Sequence, residues 1–240
     1  MIPSPRPVGP VPAASTVLFD LDGTLTDPKE GITQSIRHAL RELGRPVPPA
    51  DELLWTIGPP LRLSFVQLLG SEDLADEGVR LYRERFGTIG LFENAVIPGI
   101  PDLLDRLATE GRRLFVATSK PHVFATRIVE RFGLAARFLH VYGSELDGAN
   151  ADKRDLLRMI VRREGLDPAA TVMIGDREHD VIGARTSGIA TIGVRWGYGS
   201  DEELIEAGAA VLVDRPEEIG ALLAAAGPFS PARPAPGASR

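Results

Sequence analysis

The run Asp20-Leu21-Asp22-Gly23-Thr24-Leu25, directly after the apolar stretch Val17-Leu18-Phe19, constrains this chain more than any other feature. An apolar run that stops in two carboxylates and a glycine reads as a buried strand delivering acids to its C-terminal end. Open α/β sheets place their ligands at that edge. Gly23 permits the chain to turn away there. Asp and Gly are also common turn residues, so taken alone the run reads equally well as a polar turn. As a pocket, it gathers negative charge and calls first for a divalent cation, then for a phosphate-bearing substrate.

Bulk properties narrow the field. The chain has 240 residues, enough for one large domain or a domain carrying an insertion. A net charge of −6 argues against a basic nucleic-acid surface but leaves room for a small phosphorylated ligand. With no cysteine, disulfides, thiolate chemistry and cysteine-bound zinc are excluded. No apolar run approaches the roughly 18 residues of a membrane span. Met1 to Ala14 is proline-rich and has no apolar core, so it does not read as a secretory signal, and a cytoplasmic location is expected. Residues 1–14 and 228–240 are expected to be disordered tails.

Between the tails, short β-branched or aromatic runs alternate with helical stretches. Strands are predicted at Val17–Phe19, Leu114–Ala117, Phe138–Tyr142, Val172–Ile174, Thr191–Val194 and Ala210–Val213. Helices are predicted near 101–110, 121–132, 152–165, 178–187, 201–207 and 216–225. This alternation predicts an α/β fold with a mostly parallel sheet covered on both faces. From Thr26 to Val96 the rhythm breaks and no strand is evident. Asp27-Pro28-Lys29-Glu30 reads as a helix start with Asp27 as cap and Pro28 first in the helix. Ile32, Ile36, Ala39, Leu40 and Leu43 share one face of that helix. Further helical units begin near Asp51, after Pro59-Pro60, and around Val79, Tyr82 and Phe86. The expected organisation is a core of residues 15–26 and 97–227, with an all-helical cap of residues 27–96 inserted between hinges.

Four distant pieces fall at predicted strand ends: Asp20/Asp22/Gly23/Thr24, Thr118-Ser119-Lys120, Lys153 after a polar loop, and Gly175-Asp176-Arg177-Glu178-His179-Asp180. Phosphoryl transfer needs these residue types. A carboxylate can attack phosphorus and form an acyl phosphate. A second acid protonates the leaving oxygen, while a hydroxyl and backbone N–H groups hold the equatorial oxygens. Two carboxylates about 4 Å apart repel by roughly 4 kcal/mol at an effective dielectric of 20. Several such acids and a phosphate therefore gather only around a cation and a lysine. An all-oxygen donor set suits Mg²⁺ rather than zinc.

The four pieces, their order and the helical insertion resemble the haloacid dehalogenase superfamily of phosphohydrolases, over about Thr16 to Ala225. The resemblance implies a Rossmann-like, doubly wound core with an inserted helical cap, and a Mg²⁺-dependent phosphomonoesterase. It implies Asp20 as nucleophile and metal ligand, and Asp22 as general acid/base that also offers its backbone carbonyl to the metal. Thr118 and the Ser119 amide would hold phosphate together with Gly23 and Thr24. Lys153 would steady nucleophile and phosphate, Asp176 would bind Mg²⁺, and Asp180 would support from behind. An acid at position 22 favours ester hydrolysis over dehalogenation. Within the superfamily the chain is similar to phosphoglycolate phosphatases and, more closely, to a 5′-nucleotidase-like branch. Gly58-Pro59-Pro60-Leu61, Leu91-Phe92-Glu93-Asn94 with Pro98-Gly99, and Thr118-Ser119-Lys120-Pro121 carry that similarity, and Ser119 stands where many phosphoglycolate enzymes have Asn.

Several residues admit plainer readings. Thr118 and Ser119 could cap the next helix. Asp180, four residues after Asp176, could complement a helix N-terminus. Arg62, at a cap-helix start, either reaches the substrate or is simply solvated. His179 and Arg177 read as structural, and Trp196, Tyr198 and Gly199 as a packed loop near the rim. The expected partner is a small phosphorylated metabolite, not nucleic acid or membrane, acted on by a monomer or homodimer. The alternatives are a phosphotransferase, such as a sugar phosphomutase, and a non-catalytic phospholigand-binding module.

Overall fold

The structure, a computed structural model, describes residues 12–226. In chain order, β1 (Thr16–Phe19) leads through β2 (Thr26–Asp27) into α1 (Lys29–Glu42), α2 (Leu61–Leu69) and α3 (Glu72–Phe86), and β3 (Ala95–Val96) returns. There follow α4 (Ile100–Thr109), β4 (Arg113–Pro121), α5 (His122–Arg131), β5 (His140–Ser144), α6 (Lys153–Glu164), β6 (Thr171–Gly175) and α7 (Glu178–Thr186). The chain then runs through β7 (Ala190–Val194), α8 (Asp201–Ala207), β8 (Val211–Val213) and α9 (Pro216–Ala225).

Six strands form one parallel sheet in the order β5-β4-β1-β6-β7-β8. The shortness and full burial of β1 follow from its place at the centre, apolar on both faces. Val17 and Phe19 pack on one face with Leu103, Leu104, Leu107 and Ile128 in the same cluster. Leu18 points to the other face, where Leu156, Leu157 and Ile160 of α6 complete a second cluster. From β1 the chain moves outward to β4 and β5, then crosses back to β6 and moves outward the other way. Strand order therefore reverses between β1 and β6, and the crevice at their C-terminal ends is where such sheets bind ligands.

The predicted strands and helices are all present, with shifts at their ends. β5 starts at His140, and Phe138 instead packs edge-on against Phe19, ring centroids 6.1 Å apart. β4 continues past Ala117 through Thr118-Ser119-Lys120 to Pro121, with an irregular register over that segment. Residues 1–11 and 228–240 of the expected tails, and Gly227 at the end of the expected core, lie outside the described residues. Ala14, assigned to a tail, is fully buried, and Ser15 N donates to the Ala170 carbonyl at 2.9 Å.

The segment from Thr26 to Val96 corrects one expectation. Its two ends pair as an antiparallel ribbon, Thr26 with Val96 and Asp27 with Ala95. A two-residue strand carries no periodic signal, so it was invisible in the sequence. Pro28 is the cap position of α1 rather than its first residue, and the Asp27 carboxylate accepts from Lys29 N at 3.0 Å. Between the ribbon strands the chain is helical. Ile32, Ile36, Ala39 and Leu40 are buried on α1, as the spacing predicts. Phe65 of α2 meets Tyr82 of α3 edge-on, and Tyr82 stacks on Phe86 one turn further along α3. Among the described residues no helix is long and apolar enough to cross a membrane.

Gly31 lets α1 approach the turn at Gly90–Phe92, because a Cβ there would lie 2.0 Å from the Gly90 carbonyl oxygen. That neighbour is backbone and cannot rotate away. Gly31→Ala is expected to destabilise the protein by about 1–3 kcal/mol, the cost of overpacking. Urea unfolding measures it, and an unchanged midpoint contradicts the packing described.

Candidate active site

Asp20 leaves the end of β1 buried, its amide donating to the Ile174 carbonyl of β6 at 2.9 Å. The chain then turns on Gly23, which has φ +81°. A Cβ at Gly23 would lie 2.3 Å from Asp176 Oδ2, so the turn needs glycine for both its backbone and its contact. Next in the turn, Thr24 Oγ1 donates to Asp176 Oδ1 at 3.0 Å. On the opposite side, Tyr198 N donates to Asp176 Oδ2 at 2.8 Å, and Trp196 Nε1 donates to the Thr24 carbonyl at 3.1 Å. The turn after β1 thus fixes one oxygen of Asp176 and the rim loop the other. Sequence reasoning placed this loop near the site but did not assign it that task.

Lys153 is buried at the start of α6 and reaches three partners from different elements. Its Nζ donates to Asp20 Oδ1 at 2.9 Å and to the Ala117 carbonyl at 2.8 Å, and lies 2.7 Å from Asp180 Oδ1. Burial works against its charge, but Asp180 and Asp20 outweigh that and hold its pKa above the ordinary lysine value. Asp180 serves two roles at once. One oxygen faces Lys153 and the other accepts from Arg177 N at 3.2 Å, capping α7.

Asp22 does not join this group through its carboxylate. Its Oδ2 lies 2.7 Å from Lys120 Nζ, with both side chains buried. The sequence pattern alone gives Lys120 no role. Its position two after Thr118 on a strand was the available signal, because alternate residues share a face. Thr118 is buried, and its Oγ1 accepts from Lys120 N at 3.2 Å. Thr118, Ser119 and Lys120 line one cavity together with Asp20 and Asp22. Arg62 also lines it, but its guanidinium is held by Asp76 at 2.7 Å and Glu72 at 3.1 Å. His179 lies outside that cavity, half-buried in a neighbouring crevice with Lys153 and Asp152. Arg177 pairs with Glu203 at 2.8 Å and donates to the Ile57 carbonyl, which ties the sheet edge to the helical segment.

Charge makes the site incomplete as protein alone. With every acid ionised, Asp20, Asp22, Asp176 and Asp180 would set four buried carboxylates against two buried ammoniums, Lys120 and Lys153, an excess of two negative charges. Burial, reinforced by Asp20 and Asp180, raises the Asp176 pKa well above the usual carboxylate range. Burial also raises Asp180, to about 6, against the pull of Lys153. Asp22 is raised by burial and held back by Lys120. Asp20, Asp176 and Asp180 each present an oxygen, all within 4.8 Å of one another. This all-oxygen cluster, short of two positive charges, fits a divalent cation.

A doubly wound sheet with buried acids and lysine at its switch point, covered by an inserted helical segment, defines a hydrolase of the phosphatase type. The chain belongs to the haloacid dehalogenase-like hydrolase family, whose profile matches residues 17–194. It is 50% identical over 189 residues to a protein of Pseudomonas aeruginosa described as a 5′-nucleotidase, covering 78% of this chain and 86% of that one. It is 41% identical over 194 residues to tyrosine-protein kinase PtkA of Mycobacterium tuberculosis, covering 81% of this chain and 66% of the relative. The crystal structure of a predicted phosphatase from Clostridium acetobutylicum superposes with TM-score 0.85 at 42% identity, over 88% of this chain and 98% of the other.

Removing the Lys153 charge leaves Asp20 and Asp180 buried without their cation. Lys153→Met is expected to cost about 3–5 kcal/mol of stability, the penalty for breaking a buried pair from one side. Adding Asp180→Asn is expected to recover part of that loss in chemical denaturation. No recovery contradicts the pairing.

Proposed function

We propose that the protein is a phosphomonoesterase that hydrolyses a small phosphorylated metabolite through an aspartyl phosphate on Asp20. The observation that carries this reading is the Lys153 ammonium shared by Asp20, Asp180 and the Ala117 carbonyl, beside Thr118 and the Asp22–Lys120 pair. In the first step an Asp20 oxygen bonds to phosphorus and the P–O bond to the leaving alcohol breaks. Asp22, whose burial favours the protonated form, gives its proton to the departing oxygen. In the second step Asp22 takes a proton from water as that water attacks phosphorus. Inorganic phosphate leaves and the Asp20 carboxylate is regenerated. The Thr118 hydroxyl and the Ser119 amide hold the phosphate oxygens, with Gly23 and Thr24 shaping the turn beneath. Lys153 keeps the nucleophile oriented.

Asp20 and Asp176 would hold a divalent cation, with Asp22 offering its backbone carbonyl and Asp180 backing the cluster. Mg²⁺ is the reading their oxygen donors favour, and once bound it supplies positive charge next to the phosphate. The helical segment 27–96 acts as a cap that excludes water while the leaving group departs.

The match to a protein described as a tyrosine kinase supports a second reading, in which the phosphoryl group passes to another hydroxyl instead of water. Accumulation of inorganic phosphate from a substrate panel separates the two.

Asp20→Asn is expected to lower phosphate release by at least about 10³-fold, since it removes the nucleophile. Substantial turnover by this variant contradicts the mechanism. In protein stripped with chelator, millimolar Mg²⁺ is expected to raise the melting temperature more at pH 7.5 than at pH 5.5. Protons and metal compete for the Asp176 carboxylate, whose pKa burial has raised well above the ordinary value, so metal binding strengthens as pH rises. Asp176→Asn is expected to abolish the shift. An equal shift at both pH values, or one retained by Asp176→Asn, contradicts the proposed ligand set.

A further inference from the structure

The cavity above Asp20 and Asp22 has an acidic floor and a different kind of roof. One face of α3 presents Val79, Tyr82, Arg83 and Phe86 to it, at the i, i+3, i+4, i+7 spacing of a single helical stripe. Tyr82 stacks on Phe86 with ring centroids 5.1 Å apart, and Phe124 of α5 meets Phe86 edge-on at 5.5 Å. Leu61 and Pro60 close the side. The wall opposite the phosphate-binding residues is therefore apolar and aromatic.

One charge is set in that wall. Of the three cationic residues lining the cavity, Lys120 is paired with Asp22, and Arg62 is held by Asp76 and Glu72. Arg83 has no carboxylate partner among the described residues, and its Nε is buried with no hydrogen bond. Its neighbours on the same helix are not left this way. Arg80 pairs with Glu77 and Glu84, and Arg85 pairs with Glu93. Arg83 is thus a cation withheld from the surface ion-pair network and kept at the cavity wall. A buried donor without a partner is unfavourable, and an anion placed there relieves it.

The space between floor and wall has room for a ring. The cavity measures about 130 Å³. An apolar protein cavity of about 150 Å³ accepts one benzene ring. That scale suits a single ring seated between floor and wall.

Resting on the hydrolytic reading above, we infer that Arg83 determines specificity, and that the substrate is a phosphomonoester whose leaving group is one ring bearing an anionic group. The ring lies against Tyr82, Phe86 and Phe124, and the anion meets Arg83.

The experiment measures kcat/KM of the full chain for phenyl phosphate, 3- and 4-carboxyphenyl phosphate, 4-(aminomethyl)phenyl phosphate, phosphoglycolate and adenosine monophosphate. In the unaltered protein, one carboxylated ring is expected to exceed both phenyl phosphate and the aminomethyl compound by about 10- to 100-fold, the worth of one hydrogen bond to a charged group. This comparison needs no variant. In Arg83→Met the ratio of carboxylated to plain ring is expected to fall towards one, whatever the absolute rates, and Arg83→Glu is expected to reverse the preference towards the aminomethyl compound. A ratio near one in the unaltered protein, or one unmoved in Arg83→Met, overturns the inference. So does phosphoglycolate or adenosine monophosphate as the fastest substrate, while leaving hydrolysis intact. If none of the compounds releases phosphate, the hydrolytic reading fails and this inference with it.

Discussion

One ammonium group holds the centre of this molecule together. Lys153 comes from α6, Asp20 from the end of β1, Asp180 from α7 and the Ala117 carbonyl from β4, and all three oxygens converge on a single nitrogen. These elements are far apart in the chain and meet only because the sheet places β1 between β4 and β6. Without the lysine, the sheet would bring two carboxylates together in a space shielded from water, where their repulsion is strongest. The charge that permits the fold is thus the charge that orients the candidate nucleophile. Stability and chemistry depend on the same contact.

The fold was largely legible in the sequence because its signals are local. Val17–Phe19, Val172–Ile174 and Thr191–Val194 are short apolar runs with helical spacing between them, and each became a parallel strand. The site was legible in part, since strand ends and acids coincide at Asp20 and Asp176. Other features were not readable. β4 extends through Lys120 because an irregular register carries the strand past its apolar stretch, and no propensity marks that. Pairing of Lys120 with Asp22 joins residues 98 positions apart through tertiary structure alone. The Tyr198 amide that fixes Asp176 is backbone, so no residue type announces it. Ala14 reads as tail by composition, yet it lies against the sheet.

The cavity divides its work between two sources. The sheet edge supplies acids, hydroxyl and lysines, all held by hydrogen bonds or ion pairs. The helical segment supplies aromatic surface and two arginines, of which Arg62 is tied to Glu72 and Asp76. The two sides touch at Lys120, whose Nζ sits 4.5 Å from the Phe86 ring centroid while paired with Asp22. A cation between an acid of the floor and a ring of the roof links the two electrostatically. Arg177, bonded to the Ile57 carbonyl, makes a second link at the other edge.

The ribbon formed by Thr26–Asp27 and Ala95–Val96 has a mechanical consequence. Both covalent crossings between the sheet and the helices are hydrogen-bonded to each other. Two separate tethers would let the helices swing, twist and slide independently. Fastened side by side, they form one strap, whose geometry favours bending across its width over independent twist or slide of the two crossings.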